Sequence, residues 1–228
     1  PVAAPPSGAV SLPQCFIEEG DRYLMHGAGL SASIETGRMR WVVSGHDDGQ
    51  PLRSLITIEP VGARPQVAPR GEDLLPGVVS HFRGAPAAWR AGRRTFSTVR
   101  YAELWPGIDL TLEAKGQTLK GTYTVAPGAD PCSVRMRHQG ADAVLIDDSG
   151  RLVAQTPAGD LVDAAPVAWQ QIDGVRRDVP VAFAVEPAPD GAVDVTFDLG
   201  EYDRSAALLI DPAVIVQAGF LGGAEKEQ

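Results

Sequence analysis

Cysteine is nearly absent: Cys15 and Cys132 are the only two among 228 residues. Lacking any CxxC or Cys/His spacing, they do not signal a zinc site, and two readings stay open, one disulfide or two unrelated buried thiols. A Cys15–Cys132 bond would close a loop of over a hundred residues and stabilise by about 4 to 5 kcal/mol on the loop-entropy argument, less any strain. Basic residues are also short, 20 Lys and Arg against 29 Asp and Glu, for a net charge of −9. That balance excludes the cationic field from which duplex nucleic-acid binding starts. The four histidines, His26, His46, His81 and His138, are scattered. With no HExxH and no Gly-x-Ser-x-Gly, neither zinc-protease nor serine-hydrolase chemistry is signalled. No run of about 18 apolar residues exists, so no membrane span is expected. Pro1 to Val10 has neither the basic nor the apolar region of a secretion signal and reads as a mature N-terminal tail.

What the chain has is turns and alternation. Hydrophobic residues make up 44%, enough for a substantial core, and 25 glycines with 19 prolines punctuate them throughout. Leu30, Ala32 and Ile34 alternate with Ser31, Ser33 and Glu35, and after Thr36-Gly37 the pattern resumes at Met39, Trp41 and Val43. Such period-two patterning puts one set of side chains in a core and the other in water, and two runs around a turn make a hairpin. The same logic predicts hairpins from Ile108 to Val125 across Lys115-Gly116, from Val144 to Ala154 across Asp147–Gly150, and from Val179 to Leu199 across Pro187–Gly191. Short strands with turn signals every eight to twelve residues predict an all-β, β-sandwich-like fold of many antiparallel strands. The helix candidates, Ala85–Ala91 and Tyr101–Leu104, amount to a turn each. Residues 62–76, with three prolines and no alternation, read as a connecting loop and a boundary between two packed β-subdomains. The resulting division is a flexible tail over 1–13, N-terminal hairpins over 14–61, the loop, a main β domain over 77–216 and an exit segment over 217–228.

From Leu75 onward a series of motifs runs in order. Leu75-Pro76-Gly77 leads to Phe82, Gly84 and Trp89-Arg90, then to Val99-Arg100-Tyr101 and Trp105-Pro106-Gly107-Ile108-Asp109-Leu110. Tyr123, Val125 to Pro131, Gly140-Ala141, Gly150-Arg151-Leu152, Pro166, Gln170 and Gly174 follow, and Gly200, Tyr202-Asp203, Leu209-Ile210-Asp211-Pro212 and Leu221-Gly222-Gly223 complete the series. This resembles the N-terminal domain of bacterial cell-surface proteins that carry SBBP repeats, the seven-bladed β-propeller type. Two stretches depart from the family: Leu119-Lys120-Gly121-Thr122-Tyr123 replaces its Leu-Glu-Tyr-Asp-Phe, and Glu18-Glu19-Gly20-Asp21 reduces its Glu-Asn-x-Gly-Gln. The resemblance implies an exported protein, extracytoplasmic and secreted or on the cell surface, whose own C-terminal propeller repeats are a partner and begin near Leu221. It supplies no catalytic residue and no cofactor.

Three functional classes follow. The first is a non-enzymatic structural or adhesion module, with an extracellular glycan or surface protein as a further partner. The second is a carbohydrate-binding module that stacks sugar rings on exposed Trp89, Trp105 or Trp169; against it, large aromatics usually fill cores, and Trp105-Pro106-Gly107 reads first as a tight turn. The third is a hydrolase with a carboxylate pair about 5 to 9.5 Å apart, for which 29 acids nominate no pair. The Asp-rich turns His46-Asp47-Asp48-Gly49, Asp147-Asp148-Ser149-Gly150 and Asp190-Gly191 lack EF-hand spacing and read as ordinary turns, not calcium or other metal sites.

Overall fold

The computed structural model describes residues 14–27, 29–81, 90–115 and 118–215. Strands β1 (Phe16–Glu19), β2 (Arg22–His26), β3 (Leu30–Glu35), β4 (Arg38–Asp47) and β5 (Gln50–Pro60) form one antiparallel meander. A second comprises β6 (Arg70–His81), β7 (Arg90–Trp105), β8 (Ile108–Lys115) and β9 (Thr118–Val125). Each alternating run keeps its apolar set inward: Leu30, Ala32 and Ile34 are buried on β3, Met39, Trp41 and Val43 on β4, and Ile108, Leu110 and Leu112 on β8.

The meanders join where β1 pairs with β7, Phe16 opposite Phe96. On the other flank β5 pairs with β10 (Met136–Gln139), which pairs with β17 (Val193–Leu199), which pairs with β16 (Val181–Pro187). The remaining strands are β11 (Ala143–Ile146), β12 (Leu152–Gln155), β13 (Leu161–Asp163), β14 (Val167–Ile172), β15 (Val175–Val179), β18 (Leu208–Asp211) and β19 (Ala213–Ile215). From β9 the ladders continue through β19 to β13, β12 and β11, while β18 carries β14 and β15 as a branch. The result is a large, nearly closed antiparallel sheet, so the all-β expectation holds.

Its two ends, β11 and β16, lie against each other, and no ladder joins them among the described residues. Side chains close that seam: Leu152, Phe183 and Val195 form a small apolar cluster with Val144, Val185 and Phe197 packed on it.

Three expectations are corrected. Segments 14–61 and 77–216 share one sheet and one core, because β1 pairs with β7 and β5 with β10, so they are not separate subdomains. The region 62–76 is a loop only as far as Pro69; from Arg70 it is β6. The strand escapes a periodicity reading because most of its side chains face water and its register shifts between Leu74 and Val78, around Pro76-Gly77. Tyr101–Leu104 belongs to β7 rather than to a helical turn; a register shift between Tyr101 and Trp105, with Glu103 at φ 49°, interrupts its alternation. The other helix candidate, Ala85–Ala91, lies largely outside the described residues, as does the exit segment.

Candidate functional site

The tryptophans go to three different places. Trp105 is 1% exposed, its Nε1 donates to the Val61 carbonyl at 2.9 Å, and its ring packs against Tyr123. It ends β7 because Pro106 pre-sets the turn and Gly107 takes φ 71°, where a Cβ would sit 2.9 Å from that of Ala129. Trp105 is therefore a core residue and offers no face to a sugar, which corrects its place among the stacking residues. Trp169 is half-buried on β14, with the Arg176 guanidinium 4.3 Å from its ring centroid. Trp89 lies outside the described residues.

Both cysteines are free, Cys15 half-buried and Cys132 exposed, so the disulfide is not formed. Cys15 leads into β1, whereas Cys132 sits in a 3-10 turn after β9, its N–H held by the Asp130 carboxylate at 3.1 Å. Burial raises the pKa of both thiols, which disfavours the nucleophilic thiolate.

The aspartate turns are spent on their own backbones. Asp48 and Gly49 take φ 46° and 77° in a two-residue link between β4 and β5. Asp147 accepts from the amides of Ser149 and Arg151 and from the Arg151 guanidinium, which holds its carboxyl below the usual range. Asp190 and Gly191 likewise adopt positive φ in the turn before β17. Among the described residues no group of three His, Cys, Asp or Glu is arranged for a metal ion. His26 lies 3.3 Å from the Ser31 hydroxyl, His46 is exposed, and the His81 side chain lies outside the described residues.

The feature that periodicity could not reveal is inside. A cavity of about 70 Å³ lies within the nearly closed sheet, walled by side chains of nine strands and by Pro212. Its walls are mostly apolar, with Met39, Ile58, Leu112, Met136 and Phe183 among them. Four lining side chains carry polar atoms: Trp41, Tyr123, His138 and Asp163. Trp41 is 3% exposed, yet its Nε1 has no hydrogen-bond partner among the described residues. Asp163 is partly exposed as a residue, but its Oδ1 is shut off from solvent and equally unpartnered.

Burial alone pushes the Asp163 carboxyl up to about 7. His138 is 5% exposed, with Nδ1 3.2 Å from the Met136 carbonyl, and burial pulls its pKa down to about 4. Burial, reinforced by the charge of Asp163, raises the phenol of the neighbouring Tyr123. Gly121 completes the wall; a Cβ there would make ordinary contact with Leu112 Cδ2 and the Pro212 carbonyl oxygen, both at 3.7 Å.

Residues 17–213, most of the chain, match the family described as a domain of unknown function, DUF7948. The chain belongs to that family. No curated protein matches it. The DUF7948 match spans every strand that walls the cavity. Asp163 was legible at most as one acid inside the apolar run from Leu161 to Val167; nothing in that run tells a turn-facing carboxyl from a buried one.

Proposed function

We propose that this DUF7948 domain is a non-enzymatic structural and adhesion module of an extracytoplasmic protein, the N-terminal neighbour of SBBP propeller repeats. The ordered motifs from Leu75 to Gly223 support the propeller association and the exported location. One structural observation carries the adhesive part: β6 presents Leu74 and Val78 to water, 62% and 63% exposed, on a strand that among the described residues pairs with β7 alone. An open edge with exposed apolar side chains is what an added protein strand uses, main-chain bonds giving affinity and side chains specificity. A protein strand is favoured over a glycan as the partner by the Trp105 ring, which is enclosed, and by Arg176, which covers one side of Trp169; Trp89 lies outside the described residues.

The test is to display the chain on a non-adherent bacterium and measure retention on protein-coated surfaces under flow, with and without Leu74→Lys and Val78→Lys together. Retention lost about tenfold in the folded double variant supports the module. Equal retention of both proteins, or of neither, sinks it. Recovery of the native protein from the cytoplasm of its producing cell would remove the extracytoplasmic part.

A further inference from the structure

One ion pair of the sheet differs in kind from its neighbours. Arginine makes the pairs that hold Glu18, Glu35, Asp109 and Asp194, and a guanidinium keeps its protons in any protein environment. Lysine is scarce, represented by Lys115, Lys120 and Lys226 alone. Of these, Lys120 on β9 puts its Nζ 2.7 Å from Oδ2 of Asp211, the last residue of β18. An amine, unlike a guanidinium, becomes a nucleophile once it gives up one proton.

The ladders hold these two groups together. β18 and β19 keep one register against β9, Ile210 opposite Tyr123 and Ala213 opposite Lys120. Asp211, two residues before Ala213, therefore projects from the same face as Lys120. Asp211 is 8% exposed, and its Oδ1 is buried without a partner among the described residues. A carboxylate so enclosed favours any change that removes its charge. On the other side of β9, the exposed Glu113 of β8 is the direct partner of Lys120, so their Cβ atoms are about 5 Å apart. Glu113, Lys120 and Asp211 thus form a row across one face of β8, β9 and β18.

We propose that Lys120 and Asp211 condense into an intramolecular amide that ties β18 to β9, with Glu113 relaying a proton. The first proton passes from the ammonium to the carboxylate across the 2.7 Å contact, leaving an amine and a carboxylic acid. Nζ then bonds to Cγ of Asp211, Glu113 carries a second amine proton to the hydroxyl, the bond from Cγ to that hydroxyl breaks, and one water leaves. One ammonium and one carboxylate become one amide and one water, so no oxidant or other co-reactant is required. The amide closes the chain between Lys120 and Asp211 into a loop, a covalent tie that the two free cysteines do not supply.

The experiment makes the full chain by cell-free synthesis, follows its intact mass with time and maps the peptides of the final product. The expected product is lighter than its sequence by one water, and the map joins the peptide holding Lys120 to the one holding Asp211. Lys120→Arg keeps an ion pair but has no amine, and should fold by circular dichroism, stay at full mass and melt at a lower temperature. Glu113→Gln should slow the mass change at least tenfold. Should Lys120→Arg fail to fold, the peptide map of the native chain decides alone. A native chain that is folded and keeps its full mass after prolonged incubation overturns the amide. So does a loss of water that persists in Lys120→Arg or maps away from Lys120, which marks a succinimide at an aspartate. A native rate of mass change in Glu113→Gln overturns the relay.

Discussion

Arg137 grips Asp194 across the β10–β17 ladder, Nε to Oδ1 at 2.7 Å and Nη2 to Oδ2 at 2.9 Å. The two residues are direct cross-strand partners, and Arg135 adds a contact at 3.3 Å to the same carboxylate, whose side chain is 7% exposed. The hydrogen bond from Arg137 is the main reason that the Asp194 carboxyl is held below its usual pKa. A nearly buried carboxylate is tolerable here because two guanidinium groups face it.

Removing that carboxylate leaves two arginines facing an empty site. Asp194→Ala is expected to lower stability by about 3 kcal/mol in urea unfolding, within the range for breaking a buried pair. Because the folded pKa is depressed, this stabilisation is complete above the ordinary carboxylate value and is lost as the pH falls through the folded one. Asp194→Asn should therefore show a shallower loss of stability in acid than the native chain; equal acid slopes would contradict the role given to the ion pair.

Asp163 and His138 should bend the stability profile in opposite senses. Between about 4 and about 7 an unfolded Asp163 is ionised while the folded one keeps its proton, so stability falls as the pH rises through that window. An unfolded His138 is protonated below about 6.5 while the folded one stays neutral down to about 4, so its contribution rises with pH. At 1.36 kcal/mol per pH unit the two are on the order of 4 and 3 kcal/mol, and they largely cancel. The native chain should look nearly flat between about pH 4.5 and 6.5, Asp163→Asn should gain stability with rising pH, and His138→Phe should lose it. Parallel slopes in the two variants would count against both burial arguments.

Gly45 on β4 backs onto the turn before β13. A Cβ at that position would lie 2.2 Å from the Ala158 carbonyl oxygen, a backbone atom with little freedom to yield. Gly45→Ala is expected to cost about 2 kcal/mol by forcing the 156–159 turn away from β4, seen as a lower melting temperature. An unchanged melting temperature would mean that this turn is not seated on the strand.

Trp105 can be dissected in two steps. Trp105→Phe keeps most of the packing but strands the Val61 carbonyl, a loss of about 1 to 3 kcal/mol. Trp105→Ala should cost about 3 to 5 kcal/mol through the cavity left behind. If denaturant unfolding showed both variants near the native stability, the ring would not be the core anchor that its 1% exposure indicates.

By itself the sequence determined the strand-rich class and most hairpins, because period two is imposed by the pleat wherever one face meets a core and the other meets water. The pairs from Leu30 to Val43 and from Val179 to Leu199 were readable for that reason. Periodicity lost β6, exposed on most of its length, and the end of β7, where the register shift at Glu103 breaks the pattern. Tertiary structure alone decided the ring and what lies inside it. Trp41, His138 and Asp163 are far apart in the chain and meet only because β4, β10 and β13 wall the same cavity. Alternation says which way a side chain points from its own strand, whereas a shared interior depends on which strands the ladders place opposite one another.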